Sequence, residues 1–506
     1  MRKRLIVAVL LMLTGVAHAT VAVTGSQHPR TADEDVAATR ETIREGLFDI
    51  RNNDWDAAAS ALDSAIHSRG FANLPEDARY PVLLMAGQLA ENASKHDVAY
   101  PLLVQASESS KAEAEAWHAR LSVAYELSNY ADSGLCITTI ARQWPTTLDE
   151  IRSNAIFDIA RHLRNGPHPN DQIPMLLALF NAKWVSDEGE PSNFWRDLAL
   201  FQFNQGEHAQ SKATAARIRS ARVAIEMRID KRYDGLTQAN PGAFDIDRLA
   251  AVELADARLL AKAAPDRLRP LVALQTVLLD ARRYDEVVAI ADDVIARSAD
   301  DKGASIFTDF SDQYIWVLDQ RARALVGLGR TQDAVAQWVR STKHPEHGEV
   351  NVSQTLNLGE YYADLQRPRE ALDVVSELGS MSPYGRMQLE FVQLQVAIEQ
   401  ADKRAEATHL AYMREHRDDA IRTWESALLM EGDLDGAANL LVERLASDKW
   451  RGQALIDVQH YQGIPLTPMG AQRELRWNSV VSRPAVVDAV NKVGRIEHFN
   501  LAGEET

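Results

Sequence analysis

Apolar residues recur along this chain with a helical period, and the helical segments themselves recur. The stretch from Leu358 to Leu378 places Gly359 in one apolar run. After a short break around Pro368, Ala371, Val375 and Leu378 follow at i, i+4 and i+7. That spacing sets the last three on one face of a helix, and the glycine marks a close approach by a neighbour. Such a stretch predicts two helices joined by a tight turn. Counterparts hold the same offsets: Gly46 with Ala58, Leu62 and Ala65, and Gly87 with Ala99, Leu103 and Ala106. So do Trp117, Leu121, Tyr130, Ser133, Ile137 and Ile140, then Trp195, Leu198, Gly206, Ser211, Ala215 and Ile218. Val287, Ala291 and Val294 follow, then Gly329, Ala334, Trp338 and Ser341. Two fainter copies centre on Ala407 with Ala411, and on Ala437 with Leu441. The small residue of the second helix thus falls at 58, 99, 133, 211, 287, 334, 371, 407 and 437. Two of these steps are about twice the rest, and the stretches 149–185 and 221–264 inside them each have room for one degenerate helix pair. Together this predicts about eleven units over 41–445.

The pattern resembles the tetratricopeptide repeat (TPR), a helix–turn–helix unit of about 34 residues. The likeness covers about four fifths of the chain, although Asp49 stands where the family prefers Tyr and Leu121 where it prefers Gly. The resemblance implies an all-α fold, a right-handed helical-hairpin solenoid in which each pair buries its apolar face against the next. In the family, the second, fifth, ninth, twelfth and thirteenth positions of the first helix line a concave groove. By phase these are Arg196, Leu200, Phe203 and Asn204 in one unit, and Trp316, Asp319 and Arg323 in another. Leu356, Glu360, Ala363 and Asp364 follow in the next. The candidate binding residues are therefore Arg196, Phe203, Asn204, Trp316, Asp319, Arg323, Glu360 and Asp364. They do not reproduce the Lys/Asn set with which chaperone-binding members hold a C-terminal carboxylate. Trp55, Trp117, Trp195, Trp338 and Trp424 fall on helix-interior positions and are expected in the core.

The two ends read differently. Arg2, Lys3 and Arg4 precede an apolar run over 5–16, and Ala17 and Ala19 supply the small residues of a cleavage site. The run is shorter than the roughly 20 residues that span a bilayer. This predicts a signal peptide over 1–19, Sec-type export to the periplasm and cleavage after Ala19, with a retained anchor as the alternative. No later stretch approaches a transmembrane span. Residues 20–40 read as a polar lead-in. Beyond Leu445, Pro465 and Pro468 break the repeat, and short helices over 470–481 and 484–492 follow. The segment 446–506 is expected to cap the array; a separate small module is the other reading.

Composition sharpens this picture. Only 25 Gly and 18 Pro occur in 506 residues, few for a loop-rich or all-β chain. The net charge of −17 argues against nucleic acid and anionic membrane as partners. Loss of three cations with the signal would take it to −20. Cys136 is the single cysteine, so no internal disulfide forms and the thiol reads as a small buried hydrophobe. No phosphate loop, H-E-x-x-H, C-x-x-C or G-x-S-x-G occurs. His344, Glu346, His347 and Glu349 read as a solvated connector, and His409 with His416 as surface residues too far apart for one ion. Acidic pairs such as Asp300 with Asp301, or Asp309 with Asp312, are expected from composition alone.

No enzyme, cofactor or metal site is expected. The chain reads as an exported scaffold that holds a protein or peptide along its concave groove, with envelope-assembly or secretion components as candidate partners. The alternative is an accessory subunit of envelope polysaccharide export or outer-membrane assembly. Polysaccharide exporters can carry a periplasmic helical-repeat region ahead of a β-barrel. This chain shows no run of alternating strands after Leu445, so it would act beside a separate pore.

Overall fold

A computed structural model describes residues 31–299, 303–346 and 348–503. The expected signal peptide, Asp300, Asp301 and His347 lie outside the described residues. The described chain is mostly helical, with one two-stranded sheet. It divides between Trp184 and Val185 into two compact units, a boundary that the repeat pattern does not mark.

The first unit holds α1 (Ala32–Arg51), α2 (Trp55–Ile66), α3 (Glu76–Asn92), α4 (His96–Ser107), α5 (Ala114–Glu126), α6 (Tyr130–Gln143), α7 (Ser153–Asn165) and α8 (Ile173–Asn181). The first six helices pack as consecutive pairs; α7 and α8 occupy the degenerate stretch 149–185, each packed against α6. Residues 32–40 are helical and not a lead-in. Thr31 and Glu34 form a capping box in which the Thr31 hydroxyl accepts from the Glu34 N–H and the Glu34 carboxylate accepts from the Thr31 N–H at 2.8 Å. The polarity of this stretch suits a first turn, where Asp33, Glu34 and Asp35 meet the positive end of the helix dipole.

The second unit continues with α9 (Ser192–Asn204), α10 (His208–Ala215), α11 (Ala221–Ile229), α12 (Asp234–Ala239), α13 (Ile246–Ala263), α14 (Arg269–Asp280), α15 (Tyr284–Arg297), α16 (Gly303–Ile306), α17 (Phe310–Gly327) and α18 (Thr331–Ser341). Then come α19 (Val352–Asp364), α20 (Pro368–Val374), α21 (Pro383–Glu399), α22 (Lys403–Glu415), α23 (Ile421–Glu431) and α24 (Leu434–Ala446). In the degenerate stretch 221–264, α11 pairs with α13 and the short α12 is inserted between them. The chain ends with α25 (Arg451–Asp457), β1 (His460–Gln462), α26 (Pro468–Val481), α27 (Pro484–Val493) and β2 (His498–Ala502). The two strands pair in parallel.

Within each pair the spacing seen in the sequence becomes contact. A Cβ on Gly46 would lie 2.9 Å from the Leu62 side chain, one on Gly87 2.6 Å from Leu103, and one on Gly359 2.6 Å from Val375. These three glycines let the second helix press its apolar stripe onto the first. Ala58, Ala99, Ser133, Ser211, Val287, Ala334, Ala371 and Ala437 are all fully buried. The pair α21 and α22 differs from the expected phase. Ala407 and Ala411 are exposed, and Glu406 stands in the small-residue slot with its carboxylate on Lys403 at 2.8 Å. Leu410 and Met413 supply that helix's buried stripe instead.

The turns explain the register. Asn53, Ser94, Ser128, Arg282, Gln366 and Ala401 have positive φ, as do Gly206, Gly329 and Gly432. Each lies between the helices of its pair, five residues before the buried position of the second helix. The left-handed residue ends one helix and redirects the chain into the next. Because six of these nine turn residues are not glycine, the feature is invisible to a search for glycines.

Among the tryptophans, Trp195, Trp338 and Trp424 are core, and Trp117 is half-buried. Trp55 is 43 % exposed and not core, because it opens α2 one turn ahead of the buried stripe. Cys136 is buried, and burial raises its thiol pKa far above the ordinary range. No helix among the described residues is long and apolar enough to cross a membrane.

Candidate functional site

The eight residues that the repeat phase assigns to a groove all lie in the second unit, and the structure gives them three different jobs. Arg196 on α9 is ion-paired to Asp197 at 2.8 Å and to Glu226 of α11. Burial works against its charge, but these two carboxylates more than compensate, and its pKa is raised. Phe203 presses the tip of its ring against the inserted α12: a Cβ on Gly235 would stand 2.2 Å from it. Both side chains therefore join one pair to the next, and neither lines an open groove. The inserted α12, which the repeat pattern did not announce, covers this end of the face. Asn204 is exposed.

Asp319 on α17 is buried and serves as a packing hub. Its carboxylate accepts from the Trp338 indole at 3.0 Å, from the Asn357 amide at 3.1 Å and from Arg323 at 2.7 Å. Trp338 also meets the Tyr361 ring at 4.9 Å. One carboxylate thus links three helices, α17, α18 and α19. Trp316 is half-buried on the same helix.

Asp364 ends α19 and does something else. One carboxylate oxygen accepts from the Gln395 amide at 2.7 Å and the other from the Thr467 hydroxyl at 3.2 Å. Both accept from Arg473 of α26. Arg473 is buried; burial opposes its charge, while Asp364 and Glu360 restore it and raise its pKa. The position that the repeat phase assigns to a groove is thus occupied by the C-terminal segment of the same chain.

That segment does more than close the last pair. The helix α27 packs on α24 as a cap does, but α26 lies against α19, α23 and α24, and β2 lies against α14. Arg476 donates to the Leu429 and Met430 carbonyls at 2.6 Å each, at the end of α23. These carbonyls have no partner further along their own helix. Farther back, the Arg495 N–H donates to the Ile229 carbonyl at 2.9 Å and its guanidinium pairs with Asp234 at 2.6 Å. Gly494 touches the backbone here, since a Cβ would stand 2.4 Å from the Ile229 oxygen. Arg222, held by Asp280, donates to the Ala502 carbonyl at 3.0 Å. Met469, Val480, Val486, Val490, Phe499 and Leu501 are buried along this path. The segment therefore returns along the first helices of several pairs, from α23 to α11.

The other candidates resolve into structural roles. Asp309 accepts from the Leu268 and Arg269 N–H groups at 2.7 and 3.0 Å and so caps α14. Glu346 accepts from the Ser353 N–H and hydroxyl at 3.0 and 2.7 Å. His409 is not a plain surface residue; its Nδ1 lies 2.6 Å from the buried Glu390 carboxylate, which Arg386 also holds. Two hollows, of about 400 Å³ between α13, α14 and α15 and about 320 Å³ around Arg414–Asp419, contain none of the groove residues. Among the described residues no group of three or more His, Cys, Asp or Glu is placed to hold a metal.

No family model matches the chain, and no curated protein matches it. Several solved structures are similar in fold. Yeast Tom70 is 11 % identical, with 90 % of this chain and 99 % of that one covered and a TM-score of 0.30. The Cut9–Hcn1 hetero-tetramer of the APC/C is 10 % identical, with 92 % and 99 % covered and a TM-score of 0.28. The TPR domain of P58(IPK) is 13 % identical, with 81 % and 100 % covered and a TM-score of 0.17. At these values no residue role passes from them to this chain.

Proposed function

We propose that the chain is a non-enzymatic scaffold of the periplasm whose first-helix face in the second unit holds a polypeptide partner. The observation that carries this reading is that the face already seats a polypeptide: α26 and β2 lie on it through ion pairs, helix-end carbonyls and buried apolar side chains. A surface with that chemistry suits a peptide better than a small molecule. The acidic balance of −17 favours basic partners through steering. Export rests on the basic, apolar and small-residue succession over 1–19.

Photo-crosslinking in a periplasmic extract tests the face. A photoreactive residue replaces Asn204 or Trp316 on first helices, and Leu259 or Leu372 on second helices. Adducts from the first two positions and none from the second two are expected. Equal yield from all four, or no adduct from Asn204 and Trp316, overturns the reading.

A further inference from the structure

Resting on that reading, the geometry points to the kind of partner: we propose that the face between α19 and α23 is a receptor for an arginine-bearing helix, and that α26 is its built-in occupant, which such a helix displaces. The argument starts from what α26 presents. Met469, Gly470, Arg473 and Val480 are buried and Arg476 is half-buried, while Glu474 and Leu475 face solvent, Leu475 at 73 % exposure. The inward residues form one stripe at helical spacing, with the two arginines three residues apart.

The face answers with two separate cation sites. The first is Asp364, whose two oxygens meet both terminal nitrogens of Arg473, with Glu360 nearby. A planar guanidinium fits this arrangement better than an ammonium. The second is the end of α23, where the Leu429 and Met430 carbonyls both accept from Arg476. Carbonyl oxygens at a helix C-terminus carry partial negative charge and favour a cation. Apolar contact alone would accept many helices; two cation sites at fixed separation select one with arginines three apart.

The attachment of α26 suits exchange. Residues 463–467, which join it to β1, belong to no helix or strand, and Gly463, Pro465 and Leu466 are exposed. The Thr467 hydroxyl caps the helix by accepting from the Gly470 N–H at 3.1 Å, so the segment carries its own start signal. A tethered occupant acts at high effective concentration. A partner helix must therefore bind the open face tightly or arrive when the tail is loosened.

The test uses the full chain and a fluorescent peptide of residues 467–481. Arg473→Ala in the chain weakens its own occupant and leaves the receptor intact. The peptide is expected to bind this variant at least tenfold more tightly than it binds the unaltered chain. Adding Asp364→Asn to Arg473→Ala should return the affinity at least tenfold, and a peptide with both arginines replaced by alanine should not bind. Gly494→Ala loosens the far end of the tail with both arginines in place, and should also raise peptide affinity if Arg473→Ala fails to fold. Equal affinity for the unaltered and loosened chains, or no effect of Asp364→Asn, overturns the inference. If loosened chains take no peptide while Asn204 and Trp316 photoprobes still capture a partner, this inference falls and the scaffold reading stands. If peptide exchange succeeds but no partner is captured, the scaffold reading falls.

Discussion

The guanidinium of Arg473 sets both of its terminal nitrogens 3.2 Å from the two carboxylate oxygens of Asp364, a residue 109 positions earlier in the chain. The pair is buried and joins the C-terminal segment to the repeat array. Removing one partner leaves a buried charge without its counter-ion, which typically costs about 3–5 kcal/mol. Asp364→Ala is therefore expected to lower the stability of the second unit by about 3 kcal/mol. The double variant Asp364→Ala/Arg473→Leu should lose less than the sum of the two single changes. Urea unfolding of the four chains measures this; strict additivity would show that the two side chains do not interact.

Close helix approach gives a second prediction. A methyl group on Gly87 would stand 2.6 Å from the Leu103 side chain, whereas one on Gly242 meets nothing within 4 Å. Overpacking of this kind typically costs about 1–3 kcal/mol. Gly87→Ala should lower the melting temperature, and Gly242→Ala should leave it nearly unchanged. Similar losses from both changes would contradict the close-packing account.

The left-handed turns make a third. Ala401 has φ of 54° between α21 and α22, and an L side chain in that region costs about 1 kcal/mol relative to glycine. Glycine also gains more freedom in the unfolded chain, which takes back part of the benefit. Ala401→Gly is expected to stabilise by a few tenths of a kcal/mol up to about 1. Gly432→Ala, at φ of 93°, should destabilise by about 1. Calorimetry of the two variants should show opposite signs, and a shared sign would remove the turn from the explanation.

How far these features were legible follows from their range. Gly87 and Leu103, or Gly359 and Val375, sit within one unit, so a 3.6-residue period and a repeat length expose them. The same logic missed Glu406, because a carboxylate held by Lys403 took a slot that elsewhere holds a small residue. The turn residues carry no common side chain, only a common φ. Helix phase does place Glu360 and Asp364 on the face that meets the C-terminal segment. It cannot reveal that the chain itself fills that face, because the Asp364–Arg473 pair has no local signal. Arg196 and Phe203 went the same way, packed against α11 and α12, whose stretch matched no repeat. The only hint was two arginines three residues apart in the C-terminal segment, on the same side of a short helix.

Export makes a fourth prediction, independent of the fold. If residues 1–19 act as a signal, the protein recovered from a periplasmic fraction begins at Thr20. Intact-mass measurement should then show loss of Met1 through Ala19, including Arg2, Lys3 and Arg4. Recovery of the full-length chain in the cytoplasmic fraction would sink the proposal. A full-length chain held in the membrane fraction would favour a retained anchor.

The buried group Glu425, Arg444, Asp457 and Arg422 ties α23, α24 and α25 together and gives the last prediction. Arg444 is wholly buried between Glu425 and Asp457, at 2.6 Å from the latter, and Arg422 reaches Asp457 at 3.2 Å. Burial is the largest influence on Glu425 and pushes its pKa up to about 7; Arg444 pulls the other way and Asp457 adds to the rise. Its ordinary value is 4.5, so between these limits the folded state binds the proton more tightly than the unfolded one. Stability from this group is therefore fully present below about pH 4.5 and is lost as pH rises through about 7. The size of the loss is about 1–3 kcal/mol. Glu425→Gln removes the titration and should flatten this part of the stability–pH curve. Urea unfolding at several pH values between 4.5 and 7.5 reads the difference between the two chains, and an unchanged slope in Glu425→Gln would exclude Glu425 as its source.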